Sequence, residues 1–150
     1  MGRGHETYGE DPYLSSRLGV SYIRWSAGRR EDDESGCVRQ TFCGTFGPEA
    51  LRHEFDAEVS EKDLRETYLP AFQACVQEGH VEAVMGAYNC VNGEPCCGSK
   101  TLLKKILREE WGFDGHVVSD CWAIKDFHEN HLVTGTPVQS AALRWKPDVI

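Results

Sequence analysis

The stretch from Val81 to Trp122 constrains this chain more than any other. Val81 to Ala87 is a short apolar run. Ser99 is a natural N-cap, and Lys100 to Glu110 follows with Leu102, Leu103, Ile106 and Leu107 on one helical stripe. Trp111-Gly112-Phe113-Asp114-Gly115 closes that helix. His116-Val117-Val118-Ser119 then reads as a buried strand ending on Asp120. Strand, helix, strand is a βαβ unit, and a crossover of this length makes the two strands parallel. In parallel barrels the side chains at the carboxyl ends of strands face the active site, which gives Asp120 a functional reading. The alternative is that Asp120 caps the turn after the strand.

The bulk properties remove some partners. The net charge is -8 and no basic patch is clustered, so nucleic acid is not an expected partner. No apolar run approaches membrane-span length, and charges and glycines near Met1 do not make a signal peptide, so no membrane partner is expected. The seven cysteines include no C-x-x-C pair. Free thiols in a reducing, cytoplasmic setting are therefore the expectation, against a zinc site built from Cys90, Cys96 and Cys97.

Met1 to Pro12 is Gly-rich and polar, which predicts a loop, and Arg3, His5, Glu6, Glu10 and Asp11 crowd it. Tyr13 to Arg24 is predicted helical, with Leu14, Leu18 and Tyr22 at four-residue spacing. Trp25 to Phe46 has no clear period and carries a run of charges from Arg29 to Glu34. His53-Glu54 lacks the second His of a zinc-protease motif, so no metal is read there. Ser60 with Asp63 opens another helix, which Pro70 should kink. On spacing alone Met85 and Tyr88 read as core fillers. A last short helix begins near Pro137.

Several of these stretches resemble glycoside hydrolase family 3, in particular its β-xylosidases and β-glucosidases. They are Gly2-Arg3-Gly4, Glu6-Thr7 and Gly9-Glu10-Asp11-Pro12; Val59 through Phe72; Val84-Met85-Gly86-Ala87-Tyr88-Asn89; and Trp111 through Asp120. The resemblance implies an α/β fold, a partial (β/α)8 TIM-like barrel with parallel strands, incomplete at both ends. A whole barrel of this kind takes ~250 residues. It implies that Asp120 is the nucleophile of a retaining glycosidase, that Met85 and Tyr88 line the sugar subsite, and that Arg3 binds sugar hydroxyls. Trp122 falls one residue beyond a position where many members carry Trp or Gly, which suggests a stacking role. A retaining enzyme needs two carboxyl groups ~5–5.5 Å apart, one attacking the anomeric carbon and one serving as acid and base. No cofactor is required. The expected partner is an oligosaccharide with terminal β-linked xylose or glucose.

Two departures from the family pattern qualify that expectation. The family's acid/base Glu lies downstream of the barrel, so the chain is expected to lack it, along with the remainder of the barrel, and to be inactive or nearly so by itself. The family also carries a Lys-His pair followed by Phe-Ala-Val-His-Ser where this chain has Gln40 to Phe46. Codons for Gly36 to Phe46, read one base later, can encode Val-Ala-Cys-Ala-Lys-His-Phe-Ala-Val-His-Ser. Residues 25–46 and 144–150 are therefore expected to be out of frame, leaving the chain without one strand. Two other classes stay open at this point: a non-catalytic carbohydrate-binding remnant, and a cysteine-based metal or redox protein.

Overall fold

The computed structural model describes residues 7–28, 37–42 and 49–145. It is a mixed α/β arrangement with parallel strands. Helix α1 (Pro12–Ala27) begins where Asp11 accepts the Leu14 amide at 2.7 Å and Pro12 takes the first helical position. Strand β1 (Cys37–Phe42) follows, and a two-residue strand, β2 (Asp56–Ala57), precedes the next helical segment. Helix α2 (Glu61–Asp63) is capped by Ser60, whose Oγ accepts the Asp63 amide at 3.0 Å, and continues as a wider-wound stretch over Leu64–Tyr68. Pro70 does not kink one continuous helix but starts a new one, α3 (Pro70–Gln77). Having no amide hydrogen to donate, it fits best at a first position.

The predicted βαβ unit is present. Strand β3 (Ala83–Gly86) leads through a small hairpin, β4 (Cys90–Val91) and β5 (Glu94–Pro95), to helix α4 (Lys100–Glu110) and then β6 (His116–Ser119). Asn92 and Gly93 both take positive φ, 50° and 81°, as the tight turn of that hairpin requires. Two short helices, α5 (Asp126–Glu129) and α6 (Pro137–Arg144), complete the chain. The main sheet has the order β1-β3-β6, and β3 is parallel to both neighbours. Val84 faces Val117 across β3 and β6, Met85 faces Val118 and Gly86 faces Ser119.

One face of this sheet carries the core. Leu102, Leu103, Ile106 and Leu107 of α4 are buried with Val84, Leu64, Leu69, Val76 and Ile23, and Val117 packs at the edge. Burying a side chain of this size stabilises the fold by roughly 1.5–3 kcal/mol. Because side chains alternate along a strand, Met85 and Val118 lie on the opposite face. That face is open: Val118 is 47 % exposed.

Three expectations need correction. The β6 strand is not buried, since His116 and Val118 lie on the face that no described helix covers. Helix α1 forms, but Leu14, Leu18 and Tyr22 point to solvent. Its packed side is Ser16, Gly19, Val20 and Ile23, because small residues let α1 approach α3 closely: a Cβ on Gly19 would stand 2.8 Å from Cys75 Sγ. The missing strand is also present. Residues Cys37–Phe42 pair with β3, with an irregular register between Cys37 and Thr41. Val38, Thr41 and Phe42 are residue types that favour strands whatever their origin.

The β3–β6 contact depends on Gly115, just before β6. A Cβ there would sit 2.2 Å from the Glu82 carbonyl oxygen, the same oxygen that accepts the His116 amide at 2.9 Å. Gly115→Ala is expected to lower the unfolding free energy by about 2 kcal/mol, measured by urea denaturation.

Candidate active site

Asp120 stands immediately after β6, at its carboxyl end. Its amide donates to Gly86 O at 3.1 Å and so extends the parallel ladder by one bond. Its side chain is half-buried and lies on the Met85–Val118 side of the sheet by strand alternation. The Asp120 carboxylate also accepts the Cys121 amide at 2.7 Å, and its carbonyl accepts the Ala123 amide at 3.1 Å. Asp120 thus closes the turn that follows β6, as the capping reading expects.

The second element of the site is Tyr88, two residues beyond β3. Its ring is buried, 8 % exposed, and the Asp120 carboxylate stands beside it. Burial, then the neighbouring Asp120 carboxylate, pushes the phenol up to about 12. The ring is enclosed by groups from other elements. The Arg52 guanidinium lies over it at 5.1 Å, and the His53 ring is 4.4 Å away, tilted by 58°. His131 Nε2 bonds the Tyr88 carbonyl at 2.8 Å.

Beside this pair a hollow of about 420 Å³ opens, lined by His53, Trp122, Lys125, Asp126, Glu129 and Asn130. Asp120 is not among the lining residues. Trp122 has φ 63° and is 80 % exposed. A bulky residue in the left-handed region costs about 1–3 kcal/mol, which the hydrogen bonds of the Asp120–Ala123 turn offset. The result is an indole face presented to solvent at the rim.

Of the residues singled out by sequence, Asp120 and Tyr88 are neighbours, Met85 shares the sheet face of Asp120, and Trp122 lines the hollow. Arg3 lies outside the described residues. Sequence reasoning missed Arg52, His53, Asp126, Asn130 and His131. The pairing of His53 with Asp126 joins positions 73 apart in the chain, and no local spacing announces it. The only sequence signal was the density of polar side chains after Lys125.

Cys75, Cys90, Cys96 and Cys97 are buried and Cys121 is exposed. Burial pushes the Cys75 thiol up to about 11 and those of Cys90 and Cys97 up to about 12. Among the described residues no group of three or more His, Cys, Asp or Glu is placed to hold a metal ion. No helix among them is long and apolar enough to cross a membrane.

Parallel strands with Asp120 and Tyr88 following their adjacent ends make this a mixed α/β domain with a candidate site at one end of the sheet. Comparison with known proteins narrows that class. The family profile described as the glycosyl hydrolase family 3 N terminal domain matches residues 1–142, and the chain belongs to that family. It is 46% identical over 145 residues to the xylan 1,4-beta-xylosidase of Xylanibacter ruminicola, covering 94% of this chain and 17% of that protein. It is 38% identical over 146 residues to beta-D-xylosidase 1 of Arabidopsis thaliana, covering 94% of this chain and 19% of that one. Among solved structures, a GH3 exo-beta-xylosidase in complex with a xylobiose aziridine activity-based probe superposes with a TM-score of 0.86 at 31% identity, over 96% of this chain and 20% of that chain. A beta-glucosidase from Listeria innocua in complex with isofagomine gives 0.82 at 32% identity, over 95% and 20%. The chain therefore spans no more than a fifth of each of these relatives.

The burial of the thiols orders their chemistry. Brief treatment with iodoacetamide at neutral pH, followed by peptide mass mapping, is expected to modify Cys121 well before Cys75, Cys90, Cys96 or Cys97. Equal labelling of Cys97 and Cys121 would contradict the packing around Tyr88.

Proposed function

We propose that this chain is part of the barrel domain of a retaining β-glycosidase, with Asp120 as its nucleophile. The observation that carries the reading is the position of Asp120 at the carboxyl end of β6, its amide bonded to Gly86 O at the end of the adjacent parallel strand β3, with Tyr88 beside it. In such a reaction a carboxylate oxygen attacks the anomeric carbon as the glycosidic C–O bond breaks, and an acid protonates the departing oxygen. Water then attacks the glycosyl-enzyme, loses its proton to the same residue, and frees Asp120. Met85 and Tyr88 would form one wall of the sugar subsite, Arg3 would grip hydroxyl groups, and Trp122 would stack at the rim. The substrate class is an oligosaccharide ending in β-linked xylose or glucose. The names of the two curated relatives above favour xylose.

The open face of the β1-β3-β6 sheet fits the interior of a partial (β/α)8 barrel, whose remaining strands and whose acid/base Glu would come from outside these residues. Exposed Leu14, Leu18, Tyr22 and Trp25 on α1, and Val118 on β6, are then surfaces that the rest of the barrel covers. We also retain the frameshift reading for 25–46 and 144–150. It rests on the codon argument alone.

A 2-deoxy-2-fluoro xyloside or glucoside with an activated leaving group tests the nucleophile, because such a group departs without an acid. The expected result is a covalent adduct mapped to Asp120 by peptide mass spectrometry and lost in Asp120→Asn. An unmodified chain, or an adduct elsewhere, would overturn the assignment and leave a non-catalytic carbohydrate-binding module as the better reading.

A further inference from the structure

We propose that His53 and Asp126 form a positioning pair for the reaction, acting through Tyr88: Asp126 anchors the His53 ring, and the His53 ring holds Tyr88 beside Asp120. The inference rests on the glycosidase reading above and extends it to residues that neither the motifs nor the comparisons single out.

The geometry runs inward from one buried carboxylate. Asp126 is 4 % exposed and begins helix α5. One of its oxygens, Oδ1, accepts Asn130 Nδ2 at 2.6 Å, and the other, Oδ2, lies 2.8 Å from His53 Nδ1. Arg52 Nε donates to His53 Nε2 at 3.2 Å. A guanidinium only donates, so Nε2 is the acceptor and the proton of a neutral His53 sits on Nδ1, pointing at Asp126. Both ring nitrogens are thereby committed, and the ring plane is fixed. That plane meets the Tyr88 ring at 4.4 Å while Arg52 lies over the same ring. The backbone joins in: His131, whose amide bonds Asp126 O at 2.7 Å, holds the Tyr88 carbonyl through Nε2. One short helix thus fixes Tyr88 from two directions.

The chemical consequence follows from what a retaining nucleophile needs. Its attacking oxygen must be aimed within a few tenths of an ångström, and a misplacement of ~1 Å can cost ~100-fold in rate. A phenol free to swing would not aim it. With its ring held against His53 and Arg52, Tyr88 keeps a fixed place beside the Asp120 carboxylate, whose Oδ1 accepts the Cys121 amide and whose other oxygen is left for the anomeric carbon.

The test reads Tyr88 directly in the full chain, labelled with 13Cζ-tyrosine. The resonance is assigned by its loss in Tyr88→Phe, and its ionisation is followed by NMR. The groups facing it are Asp120, Arg52, His53, Cys121 and the His131 ring on its carbonyl. In the unaltered chain the midpoint is expected at about 12. His53→Ala removes the ring from a side chain that is 38 % exposed, and Asp126→Asn removes the anchoring charge while keeping its shape. Each is expected to lower the Tyr88 midpoint by about one pH unit, since a released ring loses both its burial and its place beside Asp120. An unchanged midpoint in folded His53→Ala overturns the proposal. Should Asp126→Asn fail to fold, His53→Ala decides alone. The fluoro-sugar adduct on the unaltered chain is scored separately. Its absence counts against Asp120 as nucleophile, whereas an unmoved Tyr88 midpoint counts against the positioning pair.

Discussion

The parallel pairing of β3 with β6 is the constraint on which the rest of the structure depends. It places Gly86 opposite Ser119, carries the ladder one bond further through the Asp120 amide, and so brings the ends of two strands to the same level. A slip of one residue would turn every side chain of β6 to the other face. Asp120 would then point toward the helices and away from Tyr88. The pairing in turn rests on the close approach at Gly115, where the His116 amide meets the Glu82 carbonyl, and on the apolar stripe of α4 that presses both strands from below.

The molecule divides its two sheet faces sharply. One is filled by Leu102, Leu103, Ile106, Leu107 and their partners, and needs nothing further. The other carries Met85, Val118 and Asp120 and is open. An open sheet face and an exposed apolar row on α1 are costly in water for an isolated domain. They are ordinary for one segment of a closed barrel, in which such surfaces are interior.

Much of this was legible in the sequence because local chemistry specified it. Ser60 and Ser99 cap helices as their types predict, and the α4 stripe is buried. Where local reading failed, a tertiary preference overrode it. The four-residue spacing of Leu14, Leu18 and Tyr22 pointed to a buried face, yet α1 packs through Gly19 and Ile23, because contact with α3 favours small side chains over large ones. The two apolar residues of β6 looked like core, but only Val117 faces the helices. At the site, Asp120 and Tyr88 were legible through the motifs that contain them. His53 and Asp126 were not, because their meaning comes from a contact spanning 73 positions and from a ring that neither residue adjoins in sequence.

The register of β6 is the claim that everything else needs, and backbone hydrogen exchange followed residue by residue by NMR measures it most directly. The amides of His116 and Asp120 donate to Glu82 O and Gly86 O, whereas those of Val117 and Ser119 point away from β3. The account predicts slow exchange at 116 and 120 and faster exchange at 117 and 119. The opposite alternation would mean that the strand is shifted by one residue and that Asp120 does not face Tyr88.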